Sequence, residues 1–300
     1  MKVEQQLERS VFPAISVLTR CPDTEYRNRH GQLMFHPLAV YNISTSKCLR
    51  RFRRVVEELE SRKDHEEYVK NAENLLEAYE ALLHALSDHW DDCLSIVRSV
   101  FSDNPKSEAI EKRLKASLEC NFEARVRLPI NQVKHHTHRL APVVYYDTEL
   151  VVPGFFFIAP VEKGVAGPSP LVHRNGVREY SYSLALRKLF LGLHQVSAAL
   201  KDAVQEGLPS TAPVAIPSSD EGGDVGVLRR LGTWFSSSLR CRFPGEVAES
   251  VPDIKCDGNS FEFRQKSLKR VVDCRSRRMH VAVAYTGDGV TRSFKIPGAG

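Results

Sequence analysis

The chain has 300 residues, of which 42% are hydrophobic and 26% charged; this is the balance of a globular protein long enough to bury a substantial core. Its 17 glycines and 16 prolines exclude the collagen-like and low-complexity classes. The net charge of +5 is modest, and it permits a nucleic-acid partner without requiring one, because phosphate binding depends on clustered charge.

The cysteines and the apolar runs bear on the compartment of the protein. Seven cysteines are widely spaced and include no CxxC pair, so we predict reduced thiols rather than a disulfide scaffold. The N-terminal MKVEQQLERSVF lacks the continuous apolar region of a signal peptide. No run of about 18 apolar residues, as a transmembrane helix would need, occurs. These features predict a cytoplasmic protein that does not associate with a membrane.

The first 140 residues carry apolar side chains at helical spacing. The clearest pattern runs from about Asp64 to Phe101 and predicts one long amphipathic helix, or two helices that break near Ser87 and Asp88. Further helices are expected at about 7–18, from Ser44 or Ser46 to Leu59, and from 105 to 122. This part of the chain is therefore predicted to form a long-helix bundle.

The amino-acid composition of the chain changes after Leu140. The stretch PVVYYDTELVVPGFFFIAP is rich in β-branched and aromatic residues and predicts a β-hairpin at about 142–158, with a turn at Asp147 to Glu149. Pro153 and Gly154 are expected to bend its second strand. Burial of the aromatic side chains in the core is the favoured interpretation, and an exposed partner or dimer surface is the alternative. Helical spacing returns at about 180–206.

The stretch 207–224 concentrates Pro, Ser and Gly and is the best candidate for a linker. Beyond it, Val227 to Phe235 fits a short helix, and MHVAVAYTGDGVTRSFKI predicts two strands that pair around an Asp288-Gly289 turn. We therefore predict a predominantly α, α+β protein. Its predicted parts are a helical bundle with a hairpin at 1–206, a linker at 207–224, and a small basic α/β segment at 225–300.

The most unusual segment is Pro129 to Leu140, PINQVKHHTHRL. Placed on a helix, it puts one group of side chains on a polar arc: Asn131, Lys134, His135 and His138. Val133, His136 and Leu140 fall on the other side, so His136 is expected to be buried or half-buried, and His135 and His138 to face outward or into a cleft. A solvated helix face that carries one core histidine is the alternative interpretation.

The run from Ile130 to His135 resembles the Asn-x-x-x-His half of the motif of HEPN domains (higher eukaryotes and prokaryotes nucleotide-binding), through Asn131 and His135. These domains are helical bundles, and their active members carry Arg directly before the Asn, where this chain has Ile130. The resemblance implies metal-independent RNA cleavage at a dimer interface, and relatives with degenerate motifs serve as binding or regulatory modules.

Two kinds of chemistry are conceivable for these residues. In a ribonuclease, His135 would take the proton from a 2′-hydroxyl, beside Asn131, while Lys134 or His138 would supply positive charge. The pair His135 and His138 also has the i, i+3 spacing of two metal ligands. Zinc needs three or four ligands, however, and the sequence identifies no third. We therefore predict no metal site.

Two runs of basic residues are candidates for phosphate contacts. Arg50, Arg51, Arg53 and Arg54 are soon followed by glutamates, so ion pairs within a helix are their favoured interpretation. The second run is opposed only by Asp273 and is the stronger candidate for nucleic-acid binding. It consists of Arg264, Lys266, Lys269, Arg270, Arg275, Arg277 and Arg278.

Motifs for ATP, dinucleotides and α/β-hydrolase chemistry are absent from the sequence, and no cofactor is predicted. The favoured hypothesis is a non-catalytic binding or regulatory module, HEPN-like with a degenerate motif, that interacts with RNA or a protein partner as a homodimer. One alternative is a metal-independent ribonuclease centred on His135, so the enzyme question stays open with a preference for no activity. The other is a structural or assembly protein without a ligand.

Overall fold

The computed structural model describes residues 11–28, 30–102, 107–135, 138–173, 179–208, 223–246, 250–257, 260–264, 271–274, 277–283 and 293–294. The helices are α1 (Ile15–Leu18), α2 (Pro37–Glu60), α3 (His65–Lys70), α4 (Ala72–Val100), α5 (Ser107–Leu118), α6 (Leu128–Lys134), α7 (Tyr182–Gly207) and α8 (Gly223–Ser237). A π-helical segment, Glu119–Arg127, joins α5 to α6, and a 3₁₀ turn spans Pro244–Glu246.

The strands are β1 (Tyr26–Arg27), β2 (Leu33–Met34), β3 (Arg139–Tyr146), β4 (Val151–Glu162), β5 (Val165–Pro168), β6 (Tyr180–Ser181), β7 (Arg240–Arg242), β8 (Asp253–Asp257), β9 (Ser260–Arg264), β10 (Val271–Asp273), β11 (His280–Val283) and β12 (Ser293–Phe294). Helix predominates, and the predicted α+β class is confirmed.

Helices α2 and α4 form the centre of the bundle and pack along each other. Helix α2 begins earlier than the predicted Ser44 or Ser46, because Pro37 occupies its first turn and the His36 ring accepts a hydrogen bond from Leu38 N (3.2 Å). Ser44 instead lies buried inside the helix.

The long helical region, predicted as one helix or as two that break near Ser87 and Asp88, is divided instead at Asn71. Asp64 caps the short helix α3 by accepting a hydrogen bond from Glu67 N (2.9 Å). Helix α4 then runs without a break through Ser87, which is buried, and Asp88, which pairs with Lys47 (2.8 Å). Ser87 therefore contributes to packing, Asp88 forms an ion pair between two helices, and neither residue caps a helix.

The predicted hairpin is present as β3 and β4, and the Asp147 side chain accepts hydrogen bonds from Glu149 N and Leu150 N at its turn (both 2.8 Å). Pairing continues in register through Pro153 and Gly154, and the register shifts instead between Pro160 and Glu162. The register is therefore unbroken at Pro153 and Gly154, and the bend expected there stays a prediction. The six-stranded sheet has the order β11-β3-β4-β5-β12, with β6 paired to β4.

Gly154 is required by close packing. A Cβ at this position would overlap with the Phe243 ring and with the Tyr180 carbonyl oxygen. We expect Gly154→Ala to lower the free energy of unfolding by about 1–3 kcal/mol, because neither backbone nor ring can give way easily. Urea denaturation checks this. The control is Gly226→Ala in α8, where nothing lies within 4 Å; it should leave stability unchanged or raise it by up to about 1 kcal/mol. Equal effects of the two changes would contradict the packing argument.

The predicted C-terminal hairpin is wrong. Strand β11 pairs antiparallel with β3 at one edge of the sheet, and β12 pairs parallel with β5 at the other edge. Exposed strand edges present unpaired N–H and C=O groups, and the two segments satisfy those edges instead of pairing with each other. The Asp288-Gly289 turn lies outside the described residues.

The C-terminal segment shares its core with the bundle in the part that the structure describes. Helix α8 packs on α2 and on β8, Arg230 pairs with Glu57 and Glu60, and Ile254 and Phe261 join the main hydrophobic cluster. Helix α7 ends at Gly207 and α8 begins at Gly223; residues 209–222, most of the predicted linker, are outside the described set. The division of the chain into 1–206 and 225–300 stays a prediction.

Two further findings concern the sequence predictions of thiols and membrane spans. The cysteines whose side chains are described are free, and nearly all are buried. Within the described ranges, no helix combines the length and the apolarity that crossing a bilayer requires.

Candidate functional site

The structure separates the residues of the predicted histidine cluster. Helix α6 ends at Lys134, and Asn131, Lys134 and His135 lie exposed on its last turn, where His135 N donates to Asn131 O (3.2 Å). His138 directly precedes β3 and is only 5% exposed. His138 does not face outward, which was one of the two predicted orientations, and it does not lie on the helix, because the chain leaves the helix to enter the sheet. His136, predicted to be buried or half-buried, lies outside the described residues.

His138 belongs to a buried polar network beneath the hairpin. Its Nε2 lies 2.5 Å from Ser169 Oγ, and His173 Nε2 accepts a hydrogen bond from Phe157 N (2.8 Å). Because Nε2 of His173 is an acceptor, the neutral ring carries its proton on Nδ1. Burial lowers the pKa of both imidazoles, that of His173 to about 3. These histidines hold the sheet together as neutral groups.

The acid sensitivity of this network is testable. Below about pH 6.5, the free energy of unfolding of the wild type falls as the pH decreases. We expect this slope to be smaller in His173→Gln by about 1.4 kcal/mol per pH unit, because the substitution removes one group with a lowered pKa. The sign follows from proton uptake: the unfolded chain binds the proton first, so the stability due to neutral His173 is full above about pH 6.5 and is lost toward pH 3. Urea titrations across this range check the slope. A His135→Gln control should keep the wild-type slope, and an unchanged slope in His173→Gln would contradict burial.

The nuclease and metal hypotheses lose one of their residues. His138 does not share a helix face with His135, and the described part of the chain contains no group of three His, Cys, Asp or Glu side chains placed to hold a metal ion. Ile130, at the position of the HEPN arginine, is completely buried. The resemblance itself stays a prediction.

The basic runs differ in how far their charge is compensated. Arg53 and Arg54 pair with Glu57 and Glu58 within α2, as the sequence indicated. In the C-terminal run, Arg277 pairs with Asp147 (2.7 Å) and with Glu149 (2.9 Å). Arg278 is exposed. Arg264 is described by its backbone only, and the remaining members, Lys266, Lys269, Arg270 and Arg275, lie outside the described residues.

A different site lies between the bundle and the sheet, at a cavity of about 40 Å³. Its walls are contributed by α4, the π-helical segment, α6, β4, β6, α7 and the 3₁₀ turn. They combine aromatic and aliphatic side chains with three charged groups. The lining residues are Tyr79, Ala124, Arg125, Pro129, Phe155, Phe157, Val172, Tyr180, Leu184, Ala185, Lys188, Leu189 and Glu246.

Glu246 is held firmly at the start of α7. Its Oε1 accepts a hydrogen bond from Ser181 N (3.0 Å), and its Oε2 accepts from Phe243 N (2.9 Å) and lies 2.8 Å from Ser181 Oγ. Ser181 is also the N-cap residue of α7. The side chain is fully buried, and this burial raises the pKa of its carboxyl to about 7 despite the hydrogen bonds.

Lys188 and Arg125 bring positive charge to the same cavity. Lys188 lies on the face of α7 that also carries Ser181, Leu184 and Ala185, at helical spacing. Burial and the nearby Arg125 lower the pKa of the Lys188 ammonium to about 7, while Glu246 opposes the shift. Burial also lowers the pKa of Arg125. Burial raises the pKa of the neighbouring Tyr180 phenol to about 12, so this group stays neutral.

The Lys188 and Glu246 pair is neutral overall in either arrangement of its proton, as ammonium and carboxylate or as amine and carboxylic acid. Arg125 is the third charged side chain that the described residues bring to this cavity. An apolar cleft with a few convergent polar groups and perturbed pKa values is the usual form of a ligand site. This one can pair with an anion, shuttle a proton between two groups that titrate near neutrality, and present an amine.

None of the cavity's charged residues was singled out in the sequence. The one available signal was Lys188 inside the apolar stretch LALRKLFLGL of α7, where a cation interrupts a stripe of core residues. Arg125 and Glu246 stand in ordinary polar surroundings in the sequence. Comparisons with protein-family models, with curated proteins and with solved structures found no match to this chain.

Proposed function

We propose that the protein is a binding module for a small anionic ligand with an apolar body, which it holds in the cavity of Arg125, Lys188 and Glu246. The observation that carries this proposal is the convergence of two cations and one carboxyl on an aromatic-lined cavity. The charge of Arg125 would pair with the anionic group, and the rings of Tyr79, Phe155, Phe157 and Tyr180 would contact the apolar part.

Energetics favour a ligand over a purely structural role. Burying ionisable side chains costs desolvation energy that a well-packed apolar core avoids. The fully buried Arg187 is a different case, because its Nη2 donates to the carbonyl oxygens of Phe235 and Ser238 at the end of α8, its Nε and Nη1 have no hydrogen-bond partner among the described residues, and it lines no described cavity. Arg125 and Lys188, in contrast, line an accessible space beside aromatic rings.

The test compares benzoate with the uncharged isostere benzamide. We expect benzoate to raise the melting temperature of the protein and benzamide to leave it nearly unchanged, because only the carboxylate pairs with Arg125. Arg125→Met should abolish the benzoate effect. Arg127→Met is the matched control, since Arg127 lies two residues away and pairs with Asp91 and Glu123. Equal shifts with both compounds, or a benzoate shift retained in Arg125→Met, would contradict the proposal.

RNA binding by the C-terminal basic run is a second candidate. Support comes from Arg278, whose side chain is exposed in the described part of the run. We expect salt-sensitive retention of single-stranded RNA that Arg275→Glu with Arg278→Glu abolishes. Reversing Arg50 and Arg51 is the control. Cleavage that is lost in His135→Ala would instead support the HEPN-like ribonuclease. If the protein neither binds nor cleaves the RNA, the result contradicts an RNA partner.

We also propose a protein partner or self-association as a homodimer, in the cytoplasm. The exposed side chains of Leu33 (66%) and Phe35 (74%) on and beside β2 support a contact surface. Free thiols support a reducing compartment. The mass in solution, measured by light scattering for wild type and for Leu33→Ser with Phe35→Ser, tests self-association; a monomeric wild type would contradict it.

A further inference from the structure

We propose that the exposed face of helix α2 from Ile43 to Arg54, called here the α2 stripe, binds an acidic segment of a partner protein that also carries apolar side chains. The stripe consists of Ile43, Lys47, Arg50, Arg51 and Arg54, which are all exposed. This inference rests on the proposed protein partner and deepens it by naming the partner's chemistry, and it does not depend on the ligand cavity.

Helical geometry places the α2 stripe on one side of the helix. From Ile43 onward, three further members follow after four, seven and eleven residues, so at 3.6 residues per turn these side chains lie within about 60° around the helix axis. Arg51 borders them. The opposite face of α2 is buried against the rest of the bundle. The stripe is therefore a continuous surface about 16 Å long, at 1.5 Å per residue.

Arg50 and Arg51 carry charge that the protein does not neutralise. Neither guanidinium has an ion pair or a hydrogen bond with any residue that the structure describes. The charged residues three or four positions from them are Lys47, Arg53 and Arg54, all of them basic. Because side chains at these spacings are neighbours on a helix, the two arginines meet like charges within α2 and no acid.

The acids near the α2 stripe are already paired. Asp88 pairs with Lys47 (2.8 Å), and Glu57 and Glu58 are each shared by two arginines. Glu57 pairs with Arg53 and Arg230, and Glu58 pairs with Arg54 and Arg62. The surface around Arg50 and Arg51 therefore keeps a surplus of positive charge, and it attracts carboxylate groups, with which an arginine forms two parallel hydrogen bonds.

The N-terminal end of the α2 stripe is apolar. Ile43 is 57% exposed, and the segment that leads into α2 exposes Phe35 (74%) and Leu33 (66%). Aromatic residues and arginine are enriched at protein interfaces. A partner segment in which apolar residues are followed by acidic ones matches both ends of this surface.

Other occupants fit the α2 stripe less well. Nucleic-acid bases stack on aromatic rings, and the aliphatic Leu33 and Ile43 offer none. A helix that lies in a lipid surface inserts its apolar face, and that face of α2 is buried in the bundle. A second copy docked stripe to stripe would bring Arg50 and Arg51 against the same arginines, and such like-charge contacts disfavour binding.

Binding of a fluorescent synthetic peptide tests the proposal on the full-length protein. The peptide has about 20 residues, which as a helix span about 30 Å, with leucines in one half and glutamates in the other. A second peptide replaces each glutamate with lysine. We expect fluorescence anisotropy at low salt to show that the wild type binds the glutamate peptide and not the lysine peptide, because only the glutamate peptide carries carboxylates for Arg50 and Arg51.

Charge reversal assigns the binding to the α2 stripe. Arg50→Glu with Arg51→Glu should weaken binding of the glutamate peptide by on the order of tenfold or more and create binding of the lysine peptide. Lys70→Glu with Lys112→Glu is the control of equal net charge, because both lysines are exposed on other helices, and it should bind like the wild type. Equal weakening in the two pairs, no peptide binding by the wild type, or no exchange of peptide preference would overturn the proposal.

Further arms test the apolar end and the class of partner. Phe35→Ser with Ile43→Ser should also weaken peptide binding, whereas Leu239→Ser, at an exposed leucine elsewhere, should not; equal effects would overturn an apolar contact. A stronger dependence on Arg50 and Arg51 for single-stranded RNA, or for vesicles of anionic phospholipid, than for the peptide would overturn the protein partner. Light scattering keeps self-association separate: a monomeric wild type that binds the peptide contradicts the homodimer alone, and a dimer that does not bind it contradicts the stripe alone.

Discussion

Glu246→Ala is expected to lower the free energy of unfolding by about 3–5 kcal/mol, because it removes one partner of a buried charge cluster. The backbone N–H groups of Ser181 and Phe243 would lose their acceptor inside the core. Lys188 and Arg125 would in addition lose the carboxyl that faces them. Urea denaturation at neutral pH measures the change.

Two further variants separate hydrogen bonding from charge at this position. Glu246→Gln keeps an oxygen that can accept from a backbone N–H, so we expect a smaller loss of stability than in Glu246→Ala. Glu66→Ala removes an exposed glutamate at the start of α3 and should change stability by no more than about 0.5 kcal/mol. If Glu246→Ala matched Glu66→Ala, Glu246 would not be a buried acceptor.

The local features of the fold were predictable from the sequence. Apolar spacing of 3.6 residues located the bodies of α4 and α7, and alternation around the polar residues at Asp147 located the β3–β4 hairpin. These signals are read over neighbouring residues, so no knowledge of the tertiary structure is needed. The ends were less predictable, because Ser87 and Asp88 have the residue types of a cap but lie within α4.

Long-range pairing was not predictable. Strands β11 and β12 flank a dipeptide that favours a hairpin, yet each pairs with a different edge of the sheet. A local pattern does not report which strand edges remain open elsewhere in the molecule. His138 was misplaced for a related reason: a helical wheel extended past Lys134 assigned it to a face of a helix that had already ended.

The cavity is the clearest case of a site that only the tertiary structure reveals. Arg125, Lys188 and Glu246 are separated by more than 50 residues at each step and come from three different elements. Lys188 in particular follows Arg187 within the apolar pattern of α7, where charged residues are ordinarily interpreted as exposed positions. The histidines at 135 and 138 attracted attention because they are close in sequence, whereas the structure brings together groups that are distant.

Titration of Lys188 by NMR tests the central claim, that a lysine, an arginine and a glutamate meet in one desolvated cavity. The ¹³Cε signals of labelled lysines report the charge of each ammonium, and the spectrum of Lys188→Met assigns the signal in question. We predict that this signal titrates near pH 7, and that Arg125→Met raises its midpoint because one neighbouring positive charge is lost. A midpoint near the reference value of about 10.4, unchanged in Arg125→Met, would contradict the account.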